Sequence, residues 1–383
     1  MGLKIAKFID KYPGTVLCYI LAVWQKLFGS RQKYNPGNNK NILIEKLIAI
    51  GDVIVALPTI HSIRLSFPDA YIALLVTNRV KAVVEGNPDV DEIIYYDLYG
   101  KEKGIRGLIS IIKRIRERKF DLVLELTHYH RIVSVVTFFS GIKNKAGFAL
   151  PGQGRDKLLT IPVQYDTTKH EVETFLDVAK AVGAEKIDTS LQEIAVSDED
   201  KAVAEKLVAG INLPADTKLV LVQPGTSSIA MSRRWESEKW AKAANWMNSS
   251  GQVKVAFCGG PDEELIMPEV SRHLDFEPLN FINKLNLKQF AWLTKKADLF
   301  IGLDTGTTHL AAAMGTRVFA LYGPNTPVKW GPYGKQHTVI YKDLDCSPCT
   351  KQYLGQVSKC KDNKCMQMIS AEEVIEGFKK IIM

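Results

Sequence analysis

Residues 298–322, DLFIGLDTGTTHLAAAMGTRVFALY, decide the fold of this chain. Two apolar runs, 298–303 and 318–322, enclose a short helical segment at 308–314. Strands that are apolar throughout and alternate with helices are typical of a parallel sheet covered on both faces. The stretch therefore predicts an α/β domain.

The same alternation runs through most of the chain in two consecutive series. The first series predicts strands at 41–47, 71–77, 92–97 and 121–126, and helices at 53–66, 105–119 and 131–140. The second predicts strands at 218–223, 253–258, 298–303 and 318–322, and helices at 237–248, 287–296, 308–314 and 371–382. Between them, 143–170 is rich in Gly, Lys and Pro, a helix is predicted at 171–182, and 184–200 resembles a linker. Two such domains predict a ligand in a cleft at the carboxyl ends of their strands.

Length and composition restrict the class of protein. A chain of 383 residues exceeds one ordinary core, which predicts two domains. Hydrophobic residues at 46% and charged residues at 24% exclude a disordered or collagen-like chain. Six cysteines are too few for a disulfide scaffold, and no apolar run reaches the roughly 18 residues of a membrane-spanning helix. We expect a cytoplasmic protein, either soluble or attached to a surface.

Positive charge gathers in the first third of the chain, although the net charge of the whole is only +8. Residues 1–40 hold seven lysines and arginines against one aspartate, and 101–119 hold eight against two glutamates. Such clusters favour an anionic partner, either a phosphorylated ligand or a lipid surface. A solvated helix face is the alternative for the second cluster.

The amino-terminal arm, residues 1–40, contains the apolar run VLCYILAVW at 16–24. The run is too short to span a bilayer, and no small-residue cleavage site of a signal peptide follows it. Tyr19, Trp24 and Phe28 beside lysines predict a helix that lies in the membrane interface. A helix packed against the first domain is the alternative.

Several common catalytic motifs are missing from the sequence. It contains no G-x-G-x-x-G after a strand, no G-x-x-x-x-G-K-[ST], no H-E-x-x-H and no G-x-S-x-G. Dinucleotide redox, P-loop, zincin and serine-hydrolase chemistry are therefore disfavoured. Transferases and isomerases built from two facing domains remain.

Polar residues follow the buried strand of the opening stretch and start the next helix. They are Asp304, Thr305, Gly306, Thr307, Thr308 and His309. The free N–H groups and positive end of a helix suit a phosphate, and a glycine there lets a ligand approach the backbone. Simple capping of the helix by Asp304 or Thr305 is the alternative. The turn YGPNT at 322–326 is expected to border the same pocket.

Two further loops follow strands of the second series. In 224–235 (PGTSSIAMSRRW), Thr226 is a small turn residue and Arg233 could bind a phosphate with two hydrogen bonds. A solvent-facing arginine is the alternative. In 258–264 (CGGPDEE), Asp262 or Glu263 could bind ribose hydroxyls, or simply stabilise a helix start.

The first series has its own candidate loop at 49–58 (AIGDVIVALP). Asp52 follows the first strand and opens a helix, where its carboxylate could accept a proton from a hydroxyl nucleophile. A helix N-cap is the alternative, since aspartate favours that position. We place Gly51 and Arg64 on the acceptor side of the same site.

Four cysteines precede the last helix in the pattern C-x2-C-x10-C-x4-C. They are Cys346, Cys349, Cys360 and Cys365. A reduced cytosol argues against two stable disulfides. The pattern predicts a structural zinc site of four thiolates, with free thiols as the alternative.

Three of these segments together resemble glycosyltransferase family 9, the ADP-heptose:lipopolysaccharide heptosyltransferases. They are AIGDVIVALP at 49–58, PGTSS…RRW within 224–235, and GLDTGTTHLAAAMGTRVFALYGP at 302–324. The likeness covers about 41–345 in order and spacing, and the Cys-rich tail also looks like that of many members. The D-T-G-x-x-H block followed by Y-G-P carries most of its specificity.

The resemblance implies a GT-B fold, two Rossmann-like domains facing across a cleft. After the arm at 1–40, 41–190 would bind the acceptor and 191–345 the nucleotide-sugar donor, before a Cys-rich segment and final helix at 346–383. Members invert the anomeric centre and use no metal or other cofactor for catalysis.

Residue by residue, the resemblance makes Asp52 the general base. It assigns the donor to the block around Asp304 and His309 and places Thr226 in the loop on the phosphate side. Arg233 stands where members often have lysine, which keeps the charge and changes its geometry.

The implied reaction moves a heptose, or a related sugar, from an ADP-sugar to a lipopolysaccharide-core acceptor. An anionic glycolipid fits the basic first third and predicts a location on the inner face of the cytoplasmic membrane. We expect no nucleic-acid partner. The alternatives are a same-fold transferase with another donor, a sugar-nucleotide epimerase, and a binding protein that retains the fold; an intact Asp52 argues against the last.

Overall fold

The computed structural model describes residues 3–28, 34–98 and 100–382, which form two compact units, Met1–Ser190 and Leu191–Met383. Each unit contains a six-stranded sheet in which neighbouring strands are parallel. The predicted α/β class is confirmed. Among the described residues, no helix has the length and apolar character needed to cross a membrane.

The first unit has the strand order β3-β2-β1-β4-β5-β6. Its strands are β1 Asn41–Glu45, β2 Tyr71–Val76, β3 Glu92–Tyr95, β4 Leu122–Glu125, β5 Asn144–Ala149 and β6 Ile161–Gln164. Its helices are α1 Leu3–Lys11, α2 Pro13–Phe28, α3 Ile50–Ser66, α4 Lys81–Val84, α5 Ile105–Glu117, α6 Arg131–Phe139 and α7 Glu171–Ala181. From β1 the chain adds β2 and β3 on one side of the sheet and then β4, β5 and β6 on the other. In such folds ligands bind beyond the carboxyl ends of the two strands at this switch point, here β1 and β4.

The second unit repeats this topology, with the order β12-β11-β10-β7-β8-β9. Its strands are β7 Lys218–Val222, β8 Val253–Phe257, β9 Leu279–Asn280, β10 Leu299–Leu303, β11 Val318–Tyr322 and β12 Thr338–Tyr341. Its helices are α8 Asp198–Ala209, α9 Ser237–Ser249, α10 Pro261–Glu264, α11 Met267–Ser271, α12 Leu287–Lys296, α13 Gly306–Ala313, α14 Pro327–Trp330, α15 Lys364–Gln367 and α16 Ala371–Ile382. The corresponding ligand position lies beyond β7 and β10.

Burial explains why the apolar runs identified the central strands. Every residue of β4, β10 and β11 is buried, because each of these strands has neighbours on both sides and helices over both faces. The closing helix α16 packs on α9 through Val374, Ile375 and Phe378. The core of the second unit therefore includes the last helix of the chain.

Two segments that the sequence did not identify have regular structure. The stretch 143–170 contains β5 and β6. Gly147 lets β5 lie close to β4, since a Cβ there would stand only 3.0 Å from the Glu125 carbonyl oxygen. Pro162 is tolerated because β6 is an edge strand. The presumed linker ends in α8, which Ser197 caps by accepting a hydrogen bond from the Asp200 N–H. Only Ala204 of α8 is buried, so the apolar periodicity was weak.

The amino-terminal arm forms α1 and α2, which belong to the first unit. Cys18 and Leu21 of α2 are buried against Val135 of α6 and Leu158. Arg31 and Lys33, counted in the basic arm, lie outside the described residues.

We predict that acidification weakens the edge of the second sheet through His337. Its Nδ1 accepts a hydrogen bond from the Val318 N–H at 3.1 Å, and burial, aided by Arg317, lowers the pKa of His337 to about 4. The unfolded chain takes up this proton near pH 6.5, so the associated stability is complete above that pH and is lost on acidification towards pH 4.

The measurement is the thermal unfolding midpoint of wild type and His337→Gln at pH 7.5 and at pH 4.5. Wild type should lose more stability than the variant between these values. His273→Gln, at an exposed histidine of the same unit, should follow wild type. Equal losses for all three proteins would contradict the role given to His337.

Candidate active site

In the first unit, Asp52 lies in the first turn of α3, just beyond β1. Ala49 occupies the N-cap position and makes no capping bond with its side chain, so Asp52 is not the N-cap residue. Its Oδ1 lies 3.0 Å from the Nζ of Lys46, and both side chains are buried, with 7% and 1% of their surface exposed. The ammonium and the helix N-terminus both favour a negative charge here.

Sequence reasoning missed Lys46 because it lies inside the run predicted as a strand. The available signal was a charged residue in a run expected to be buried, since a buried charge needs a partner. The chain turns from the end of β1 towards α3 at this point, which brings Lys46 back to Asp52 six residues later. Lys46 also lies 5.0 Å from the centre of the Phe175 ring.

Two buried glutamates hold the chain segments around this pair. Glu45, at the end of β1, accepts hydrogen bonds from the N–H groups of Leu47 and Thr127 and from the Thr127 hydroxyl. Burial raises the pKa of Glu45. Glu125, at the end of β4, accepts from Arg155 Nη2 at 2.8 Å. The loop after β4 is thereby fixed to the end of β1.

That loop carries His128, which is buried. Its Nε2 lies 2.5 Å from Glu171 Oε1, and the Tyr165 hydroxyl donates to the other oxygen of Glu171 at 2.9 Å. Burial lowers the pKa of His128, and the charges of Lys46 and Asp52 act on it as well. A second titratable side chain therefore lies within electrostatic range of the Lys46–Asp52 pair.

The two residues predicted on the acceptor side lie at opposite ends of α3. Gly51 is buried next to Asp52 in the first turn of α3, whereas Arg64 lies in the last turn. Twelve residues of helix separate Arg64 from Asp52 by roughly 18 Å. The Arg64 guanidinium donates to the carbonyls of Pro68 and Ala70 and to the Asp91 carboxylate. Arg64 thus holds the far end of α3 and is not brought to Asp52.

In the second unit, the block that starts α13 divides into a buried and an accessible part. Asp304, Thr308 and His309 are buried, whereas 305–307 are half-buried. Thr305 is the N-cap residue, but its side chain makes no capping bond and instead lies 2.8 Å from the Thr307 hydroxyl. The helix start therefore presents two hydroxyls and a glycine, the arrangement expected for binding an anion.

Asp304 joins three segments of this unit. Its Oδ2 lies 3.1 Å from Arg233 Nη1 and accepts a hydrogen bond from Asn325 Nδ2 at 3.0 Å. Arg233 also donates to the Asp304 carbonyl at 2.7 Å. The predicted border turn, 322–326, is thus attached to the block through Asn325. Asp304 and Arg233 are brought together, and each is a partner of the other.

A second set of contacts connects the ends of β7, β8 and β10. Glu263 accepts from the Gly260 N–H at 2.7 Å and from Gln223 Nε2 at 3.0 Å, and Gln223 Oε1 accepts from the Thr307 hydroxyl. Burial raises the pKa of Glu263. Gly225 is required beside it, because a Cβ there would lie 2.5 Å from Glu263 Oε1. Asp262, next to this carboxylate, is half-exposed.

Three other predicted donor residues stabilise the unit itself. The Thr226 hydroxyl donates to the Ala230 carbonyl at 3.1 Å, and the Thr308 hydroxyl donates to the Leu303 carbonyl. The ring of His309 lies edge-on to that of Trp330, with 6.3 Å between centres.

The four cysteines do not form the predicted closed site. Cys346, Cys349 and Cys360 are exposed, whereas Cys365 is buried against Gly323, where an added Cβ would lie 2.8 Å from its Sγ. Burial raises the pKa of the Cys365 thiol. Within the described part of the chain, no three His, Cys, Asp or Glu side chains are grouped to hold a metal ion. The zinc prediction therefore has no support.

Comparison with solved structures shows which proteins share this fold. A family 9 glycosyl transferase from Veillonella parvula superimposes with a TM-score of 0.79 at 23% identity, over 92% of this chain and 99% of that chain. The E. coli heptosyltransferase WaaC, solved with ADP, has a TM-score of 0.64 at 18% identity, over 89% and 99%. The predicted GT-B class is confirmed.

Sequence comparison extends the likeness to curated relatives. The lipopolysaccharide core heptosyltransferase OpsX of Haemophilus influenzae is 27% identical over 350 residues, 89% of this chain and 97% of that protein. The family model of glycosyltransferase family 9 (heptosyltransferase) matches residues 108–356. Because this match covers more than half of the chain, the protein belongs to glycosyltransferase family 9 and is a glycosyltransferase.

Proposed function

We propose that this enzyme transfers a heptose from an ADP-heptose to a lipopolysaccharide-core acceptor, with inversion at the anomeric carbon. The observation that carries the mechanism is the buried Asp52 carboxylate, paired with Lys46 beyond the carboxyl end of β1. Two similar proteins, a lipopolysaccharide core heptosyltransferase and a heptosyltransferase solved with ADP, support the donor and acceptor classes.

In the proposed step, Asp52 takes the proton of the acceptor hydroxyl as that oxygen attacks the anomeric carbon. The bond from this carbon to the phosphate oxygen breaks, and ADP leaves with the electron pair. One carboxylate suffices, because a single displacement forms no covalent enzyme intermediate. Lys46 is the positioning residue: its ammonium holds the Asp52 carboxylate in one orientation.

The second unit supplies the proposed donor site. Backbone N–H groups and hydroxyls at 305–307 would bind the diphosphate, with the positive end of α13 directed at the leaving charge. Arg233, anchored on Asp304, adds a fixed positive charge beside this helix start. The loop 258–264, connected to Thr307 through Gln223, would bind the ribose. We propose that no catalytic metal is needed, since these groups stabilise the leaving diphosphate.

The basic first third suggests the place of action. Residues 1–40 and 101–119 each carry a net charge of +6, which would attract an anionic glycolipid and the surface that contains it. We therefore propose that the enzyme works on the inner face of the cytoplasmic membrane.

The first prediction from this proposal concerns the nucleotide. ADP should bind without added metal and more tightly than UDP, GDP or CDP, as measured by titration calorimetry. Asp304→Ala should abolish ADP binding, because Arg233 and Asn325 lose their common anchor. Asp275→Ala, at an exposed residue of the same unit, is the matched control. A preference for UDP would leave the fold intact and overturn the proposed donor.

The second concerns the base. Asp52→Asn should lower kcat about a thousandfold, within the usual range for removal of a general base, because the amide cannot accept the proton. ADP affinity should stay at the wild-type value, since the donor site lies in the other unit. Asp69→Asn, at an exposed residue of the first unit, should retain full activity. Undiminished turnover by Asp52→Asn would exclude the mechanism.

The third concerns Lys46. Lys46→Met should lower kcat by more than about tenfold with little change in KM for the donor, because the Asp52 carboxylate loses its orienting partner. Lys46→Arg keeps the charge and should restore part of the activity. Thermal unfolding of both variants checks folding, since breaking a buried ion pair also costs stability. A folded Lys46→Met enzyme with normal kcat would show that the pair is only structural.

A further inference from the structure

The side of α2 that faces away from the first unit carries an apolar stripe at helical spacing. Its residues are Val16, Ile20, Val23 and Leu27, and all are exposed. Tyr19 and Trp24 border the stripe: both are exposed in part, but Tyr19 also lies against Gly154 and Trp24 against Phe138 of the first unit. The adjoining helix α1 exposes a second stripe of Ile5, Phe8, Ile9 and Tyr12. We call these two stripes together the arm face. Contiguous exposed apolar surface of this kind marks an interaction site.

The arm face is not the surface that attaches the arm to the protein. Cys18 and Leu21, on the other side of α2, are buried against α6, and Gln25 donates to the Leu158 carbonyl. By contrast, Ile20 and Val23 each keep 60% of their surface exposed. Cys18, Leu21 and Gln25 thus form the attachment, while Ile20 and Val23 point outward.

The acidic and basic side chains of the arm also lie in different environments. Asp10 is the one acidic residue of 1–40, and its carboxylate accepts hydrogen bonds from the N–H groups of Arg131 and Ile132 at the start of α6. The Asp10 carboxylate therefore faces the protein, while Lys7, Lys11 and Lys26 are exposed. Apolar and aromatic side chains flanked by lysines form the pattern of a helix that lies in the interface of an anionic bilayer.

We propose that the arm face is a membrane-docking surface that inserts its apolar side chains into the headgroup region of an anionic bilayer. A second copy of the chain is a poorer occupant, because a twofold contact would bring the same lysines of both copies together. The inference rests on the proposed function in one respect: a glycolipid acceptor would be presented in such a bilayer.

Asp10 connects this surface to the proposed acceptor site. It binds the start of α6 and lies 3.8 Å from His130. His128, two residues earlier, packs against the Phe175 ring, which Lys46 also contacts. Because the arm and this loop belong to the same compact unit, a membrane that holds the arm would also fix the position of the loop. The arm is a positioning device for a lipid-borne acceptor as well as an anchor.

The test is flotation of the full-length enzyme with phosphatidylcholine vesicles, with and without about one-third phosphatidylglycerol. Wild type should bind the anionic vesicles, and the double variant Ile20→Glu/Val23→Glu should lose about tenfold or more in affinity. Lys7→Gln/Lys11→Gln/Lys26→Gln should lose the preference for anionic over neutral vesicles. Leu265→Glu, at an apolar residue of the second unit that is even more exposed than Ile20 and Val23, should bind like wild type.

Equal vesicle binding by wild type and Ile20→Glu/Val23→Glu would overturn the proposal. A second outcome would also overturn it: wild type does not bind vesicles and sediments as a dimer, whereas the double variant sediments as a monomer. The arm face would then be covered by a second copy of the chain. On a delipidated, water-soluble acceptor the double variant should transfer sugar at the wild-type rate, and on a vesicle-borne acceptor more slowly. If no protein transfers sugar at all, the proposed function fails, whereas vesicle binding still decides the docking surface.

Discussion

The buried ion pair between Lys46 and Asp52 is the constraint on which the first unit depends. Two charges removed from water are tolerated only where the surrounding groups are hydrogen-bonded and correctly placed. Glu45 and Glu125 meet this need by fixing the loop after β4 to the end of β1, and Arg155 is buried with them. A network of this kind allows one arrangement of the site, because each displaced member would leave another buried charge without its partner.

The second unit has the same strand order, but its buried carboxylate, Asp304, connects chain segments instead of lying at the start of a helix as Asp52 does. At the end of β10, Asp304 is engaged by Arg233 and Asn325, so its role is to hold the turns together. The start of α13 is left accessible, and Thr305 does not cap it. The same strand order thus supports both roles that we propose, a proton acceptor after β1 in the first unit and an anion-binding helix start after β10 in the second.

The sequence predicted the central strands well, since buried parallel strands are continuously apolar. It predicted poorly where glycine, lysine or proline interrupts the apolar run, or where burial is partial. The interior strand β5 carries Lys145 and Gly147, the edge strand β6 carries Pro162, and α8 buries only Ala204. The spacing of the four cysteines also gave no indication of their burial. Cys365 is buried, whereas Cys346, Cys349 and Cys360 are exposed.

By itself, the sequence determined the α/β class, the two-domain order, the family resemblance, and the positions of Asp52 and of the block at 304–309 after their strands. These are properties of local periodicity and of short motifs. Tertiary structure alone decided which side chains are partners: Lys46 with Asp52, Arg233 with Asp304, and Arg64 with Asp91. It also decided which apolar side of α2 is buried, because residues distant in sequence meet only when the chain packs.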